Sequence, residues 1–407
     1  MPPSESNFHF SLFTLNSSLF TLHFSLFTFH FSLLTINLYI HIPFCTSRCI
    51  YCDFFSTTGG KSQQDRYVEA LLRELKKVQG SRCKVQCFNS LYIGGGTPSV
   101  LSHDNLRKLL GTFAPLAKSE VTIECNPDDV SESLAQLLVE CGVNRVSMGV
   151  QTFSDERLRF LRRRHDSSQI APAVEVLRKA GIRNISIDLM FGFPGETMAE
   201  WHEDLDKALA LGVEHISAYS LMYEDGTPLT RMLEAGTVSA LDDETCRSMY
   251  YTLIDRLAAA GYEQYEISNF CKPGFRSRHN SDYWKPWSEY YLGLGAGAHS
   301  YDGATRSWNV CDVEKYISGQ EPKGCEVLDD DMRYNDLITT ALRTREGIDL
   351  DVVRDWLGED YRTYLLSSSR KEIENGRLAI EGSRIFFTRK GLYVSNDVMS
   401  ELIMVQG

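Results

Sequence analysis

The sequence predicts an α/β protein: a partial (β/α)6 barrel followed by a small helical, winged-helix-like domain. Three features predict it. Six short β-branched or aromatic runs alternate with amphipathic helical stretches between residues 38 and 220. Four helical stretches end on a glycine leading into the next strand, Gly142, Gly181, Gly212 and Gly261, the residue suited to the left-handed turn past a helix end. From residue 331 the pattern changes to helices around a single hairpin. Strands separated by helices build βαβ units and a parallel sheet, with an open doubly wound sheet as the competing architecture. Both place chemistry at the C-terminal ends of the strands.

Taken in order, residues 1–37 are a low-complexity extension in which Ser-Leu-Phe-Thr recurs at Ser11, Ser18 and Ser25 and decays at Ser32. Its apolar positions do not follow a heptad, its flanks lack the charge and cleavage site of a signal peptide, and polar residues interrupt any span. We expect a translated nucleotide repeat upstream of the true start. Residues 38–272 hold the barrel, with strands at 38–42, 90–94, 121–125, 145–150, 185–191 and 215–220. In the helix between the first two, Tyr67, Leu71, Leu75 and Val78 share a face. Residues 273–330 form an aromatic-rich segment and linker. Residues 331–407 hold the last helices and the hairpin "GRLAIEGSRIFFT".

Charge narrows the function. The net charge of −12 opposes a broad nucleic-acid or anionic-membrane surface. The C-terminal region, with 11 Lys+Arg against 13 Asp+Glu, lacks the cationic excess a DNA-binding wing needs. Eleven cysteines, three of them clustered, suit a reducing, cytoplasmic compartment better than a disulfide framework.

The cluster lies in "HIPFCTSRCIYCDFFS", where Cys45, Cys49 and Cys52 follow the first strand with spacing C-x3-C-x2-C. A zinc ribbon would want a second knuckle; Cys83 and Cys87 offer one, but just before a strand, at the wrong end of a barrel. Three thiolates on a loop at the catalytic face better suit a [4Fe-4S] cluster with one iron open. "GGGTP", Gly94 to Pro98, ends the second strand, where a bare backbone can approach a ligand or simply turn. Glu124, Gln151 and Asp188 lie at the C-terminal ends of strands three to five. "LRRRH" supplies Arg163 and His165, either a surface charge run or a carboxylate clamp.

With Tyr51 before its last cysteine, this motif resembles the signature of the radical S-adenosylmethionine (SAM) superfamily. The resemblance implies that the open iron chelates SAM and that an electron from the cluster cleaves its sulfonium. Together with "LYIHIPFC", the stretches resemble the oxygen-independent coproporphyrinogen III dehydrogenases (HemN type) and the HemW-type haem chaperones. By that resemblance Tyr39, Tyr51, Gly95, Gly96, Thr97, Glu124, Gln151, Arg163, Asp188 and Met222 line the SAM pocket.

Two features select within the branch. The dehydrogenases resemble C-x3-C-x2-C-x-C, but Phe54 occupies the last position here. Their longer N-terminal region has no counterpart in the Ser-Leu-Phe-Thr repeat. Second, His279, Asn280, Tyr283 and Trp284 resemble the H-N-x-x-Y-W motif of the haem chaperones. Imidazole can ligate haem iron and aromatic rings can pack on a porphyrin, although the same residues can staple a linker to a barrel. His279 is the expected haem-iron ligand, ahead of His299. The resemblance implies a homodimer that binds haem and hands it to haem-requiring proteins such as respiratory enzymes, at the membrane surface. The alternative is a coproporphyrinogen III dehydrogenase.

Overall fold

A computed structural model describes residues 36–80, 88–319 and 323–405. The N-terminal repeat and Cys83 and Cys87 lie outside the described residues. Six strands run parallel in chain order: β1 (Ile36–Ile42), β2 (Phe88–Gly95), β3 (Ala117–Cys125), β4 (Arg145–Gln151), β5 (Asn184–Phe191) and β6 (His215–Ser220). This is the α/β architecture that the alternation of runs predicts.

Strand alternation divides each strand into two faces. Leu38, Ile40 and Ile42 of β1 are fully buried with the helices in the main core. Helix α1 (Lys61–Gly80) contributes Tyr67, Leu71 and Leu75 to it, and Val78 packs at its margin. The opposite strand faces are polar: Tyr39 and His41, Tyr92, Thr122 and Glu124, Arg145 and Ser147, Asp188, His215 and Ser217. Several of these side chains are hydrogen-bonded, as buried polar groups usually are. Ser186 bonds His215 Nδ1 at 2.7 Å, and Ser217 donates to Asn269 at 2.7 Å.

Residues 263–327 add strands that the sequence pattern did not reveal. Strand β7 (Asn269–Cys271) pairs antiparallel with β6, and β8 (Tyr290–Leu294) pairs parallel with β1 from Ile36↔Tyr290 to Ile40↔Leu294. Three short antiparallel strands continue outward from β8. Their runs are short and glycine-broken, so period-2 alternation is too brief to read. Between β7 and β8 lies helix α2 (Arg278–Tyr283).

The C-terminal elements surround a second core. Leu337, Ile338, Ile385, Val398 and Leu402 meet there, and Tyr334 donates to the Leu402 carbonyl at 3.1 Å. The expected hairpin is present as Leu378–Glu381 against Arg384–Phe387. The module is tied to the barrel by the Ile267 N–H to the Arg343 carbonyl and by Arg389 on Asp255. Among the described residues, no helix is long and apolar enough to cross a membrane.

Candidate functional site

The cysteine loop leaves β1 and is fixed at both ends. Cys45 N–H bonds the Thr57 carbonyl at 2.8 Å, and Thr57 N–H bonds that of Pro43 at 2.6 Å. The loop midpoint is held by Ile50, buried with Leu161, Phe193, Leu221 and Leu229. Backbone bonds from Ile50 to Leu161 (3.2 Å) and from Leu229 to Ile50 (3.0 Å) fix it there. The three cysteines remain part-exposed on an open cavity at the C-terminal ends of the strands.

The glycine run has a steric reason. A Cβ on Gly96 would lie 2.7 Å from the Phe44 carbonyl oxygen and 3.0 Å from Cys45 Sγ. Thr97 Oγ1 donates to Cys45 Sγ at 3.6 Å, and Arg163 Nη1 to Cys49 Sγ at 3.5 Å. Burial and the neighbouring thiols push Cys52 up to about 11, and burial raises Cys45 as well. A bound cation would offset that penalty by stabilising the thiolate form directly. Among the described residues, no three His, Cys, Asp or Glu side chains close around one metal ion, so the loop presents no closed zinc shell. The free, part-exposed thiols on one rigid loop fit the donor set of an iron–sulfur cluster.

Tyr51, Gly95, Gly96, Thr97, Glu124, Gln151, Arg163 and Asp188 line the same cavity, as does Phe54, which is 65% exposed. Two expected residues do not. Met222 is 58% exposed and Tyr39 lies deeper in the barrel, each outside the cavity lining. Arg163 Nη2 donates to Asn126 Oδ1 and to the Gly149 carbonyl, both at 2.6 Å, so its guanidinium braces β4 against the cysteine loop. Among the described residues, Gln151 (φ 69°) and Arg162 (φ 60°) alone are non-glycines with left-handed backbone, and both line this cavity. Such strain concentrates at functional sites. At Gln151 it coincides with a register shift between β4 and β5, in which Val150 is skipped and Gln151 pairs with Leu189. Glu124 accepts from Tyr92 Oη at 2.7 Å and Gly95 N–H at 3.2 Å; burial pushes it up to about 7. Burial likewise pushes Asp188 up to about 6 against the opposing pull of Arg145.

The His279 motif lies at the other end of the barrel. Helix α2 is capped by Ser277 Oγ, and Glu120, in the N-terminal half of β3, accepts the backbone N–H groups of Arg278 and His279. His279 is 7% exposed; its ring stacks on Tyr92 at 4.5 Å and Tyr39 at 5.9 Å. Burial and Arg145 push the imidazole down to about 3, so it is neutral. Tyr39, His279, Asn280, Tyr283 and Trp284 line one open pocket, in which His279 Nδ1 and Trp284 Nε1 are buried without a hydrogen-bond partner among the described residues. His299 lies outside this pocket and stacks on Trp308 at 5.8 Å. Sequence reasoning missed Tyr92, Glu120 and Arg145. Alternation from Gly94 and Glu124 places Tyr92 and Glu120 on the inner face, and that signal was there to use.

A parallel barrel with three loop cysteines at its catalytic mouth defines a radical SAM protein, and the Radical SAM superfamily model matches residues 39–208. The HemN C-terminal domain model matches residues 328–394. The chain is 34% identical over 373 residues to heme chaperone HemW of Lactococcus lactis, covering 90% of this chain and 97% of that protein. It is 35% identical to heme chaperone HemW of Bacillus subtilis, covering 90% and 98%. The chain belongs to the HemW family. Its fold matches that of Escherichia coli coproporphyrinogen III oxidase (HemN), with a TM-score of 0.80, 20% identity and 93% of each chain covered.

Proposed function

We propose that the protein is a haem chaperone. It holds a [4Fe-4S] cluster on Cys45, Cys49 and Cys52, binds SAM in the adjoining cavity, and binds haem through His279. When bound, the cluster supplies an open iron for SAM and an electron for its cleavage. The chain's own residues orient the ligands: Glu124, Gln151, Arg163 and Asp188 present polar groups to SAM, and Asn280, Tyr283 and Trp284 flank the imidazole. Haem is then delivered to haem-requiring proteins such as respiratory enzymes, with transfer at the membrane surface by a homodimer working from the cytoplasm.

The observation that carries the reading is the second pocket, in which a neutral imidazole with an unpartnered Nδ1 lies among aromatic rings. A neutral imidazole is the ligating form. The HemW names of the relatives support haem as the cargo. Phe54, where the dehydrogenase pattern has a further cysteine, supports a chaperone over a decarboxylase.

One preparation tests both readings. Reconstituted protein is titrated with haem, and incubated anaerobically with coproporphyrinogen III, SAM and reductant. Haem binding that weakens in His279→Ala, with iron–sulfur absorbance retained, is expected. Steady protoporphyrinogen formation, or haem affinity unchanged in that variant, would overturn the proposal.

A further inference from the structure

We infer that Tyr92 is a positioning residue that couples the cysteine-lined cavity to the His279 imidazole, so that SAM and haem alter each other's affinity. The inference rests on the proposed binding of both ligands. Tyr92 touches a lining residue of each of the two pockets. Its ring stacks on His279 at 4.5 Å with 23° between planes, and its hydroxyl donates to Glu124 Oε1 at 2.7 Å. The other Glu124 oxygen accepts the Gly95 N–H at 3.2 Å. Glu124 and Gly95 line the cysteine cavity; His279 lines the opposite pocket.

A second bridge runs in parallel. Tyr39 lines the His279 pocket, and its hydroxyl pairs with His41 Nδ1 at 3.0 Å. His41 Nε2 pairs with the carbonyl of Phe55, three positions beyond Cys52, at 3.0 Å. Neither bridge has slack. A Cβ on Gly94 would lie 2.8 Å from the Tyr92 ring and 2.9 Å from Glu124 Oε1, and one on Gly95 would lie 2.6 Å from the His41 ring. Close-packed contacts transmit displacement because they have no space in which to absorb it. A ligand that hydrogen-bonds Glu124 competes with the Tyr92 hydroxyl, and the stacked ring carries the adjustment to His279. Binding coupling is reciprocal, so haem must change SAM affinity by the same factor.

The test uses cluster-loaded, full-length protein without reductant, so that SAM stays intact. Haem is titrated by its Soret band with and without saturating SAM, and SAM by equilibrium dialysis with and without haem. In the native chain we expect equal shifts in the two titrations, at least about fivefold. Tyr92→Phe keeps the ring but loses the hydroxyl, and its shift should fall below about twofold. A native haem affinity indifferent to SAM overturns the inference whatever the variants do, as does a full shift in Tyr92→Phe. If Tyr92→Phe does not fold, Glu124→Gln, which weakens the same hydrogen bond from its other end, takes its place with the same expected loss, read at a SAM concentration that its own dialysis curve shows to be saturating. Haem affinity insensitive to His279→Ala would remove the underlying reading. Affinity that depends on His279 but not on SAM would remove the coupling alone.

Discussion

Glu120 and His279 stand 159 positions apart, yet the Glu120 carboxylate accepts the His279 backbone N–H at 3.3 Å and that of Arg278 at 3.1 Å. A strand residue thus fixes the helix that presents the imidazole. Glu120→Ala should free that helix while leaving His279 in the chain. Losing hydrogen bonds to a charged acceptor costs about 1.5–3 kcal/mol. Haem affinity should fall roughly tenfold or more by Soret titration, with unchanged iron–sulfur absorbance. An unaltered affinity would detach Glu120 from the role.

Arg163 braces the cysteine loop through Cys49 Sγ, Asn126 and the Gly149 carbonyl. Arg163→Met leaves two carbonyl-type acceptors without their donor. We expect a loss of about 1–3 kcal/mol in urea unfolding and a shorter cluster lifetime in air, followed by absorbance decay. Equal lifetimes in both proteins would count against the brace.

Gly96→Ala places a methyl 2.7 Å from the Phe44 carbonyl, a backbone atom that cannot swing away. Overpacking of this kind costs about 1–3 kcal/mol. Iron bound per chain after reconstitution should drop sharply, while Gly111→Ala, whose Cβ meets nothing within 4 Å, serves as the control.

Glu124 gives stability a pH dependence. Burial raises its carboxyl from 4.5 to about 7. As pH rises above 4.5 the unfolded chain ionises first, so stability present at acid pH is lost as pH climbs to about 7. Asp188, raised from 3.8 to about 6, acts in the same direction over a lower window. In cluster-free protein, Glu124→Gln should flatten this decline by on the order of 3 kcal/mol between pH 4.5 and pH 7. Parallel urea midpoints for both chains across that range would contradict the assignment.

The six barrel strands were legible because short β-branched or aromatic runs alternate with helical stretches, so period and punctuation agree. The cysteine cavity was legible because its lining residues sit at strand ends or on loops after strands, where order along the chain gives order in space. The location of His279 was not. Its pocket combines Tyr39 from β1 with residues of α2, and nothing local in "SRHNSDYW" says that the helix seats against β3. Tyr39 was assigned to the SAM cavity by resemblance, whereas its ring lies against His279. Strand alternation gives the face of a residue but not its depth along the barrel.

Among the described residues the sheet does not close: β1 pairs with β2 and β8, and β6 with β5 and β7. The cysteine loop, leaving β1, is seated through Ile50 on residues that follow β4, β5 and β6, namely Leu161, Phe193, Leu221 and Leu229. It therefore spans the open arc as a tie-beam spans a roof. The width of the barrel mouth and the spacing of the three sulfurs are set by the same few contacts, so a change that loosens one must loosen the other.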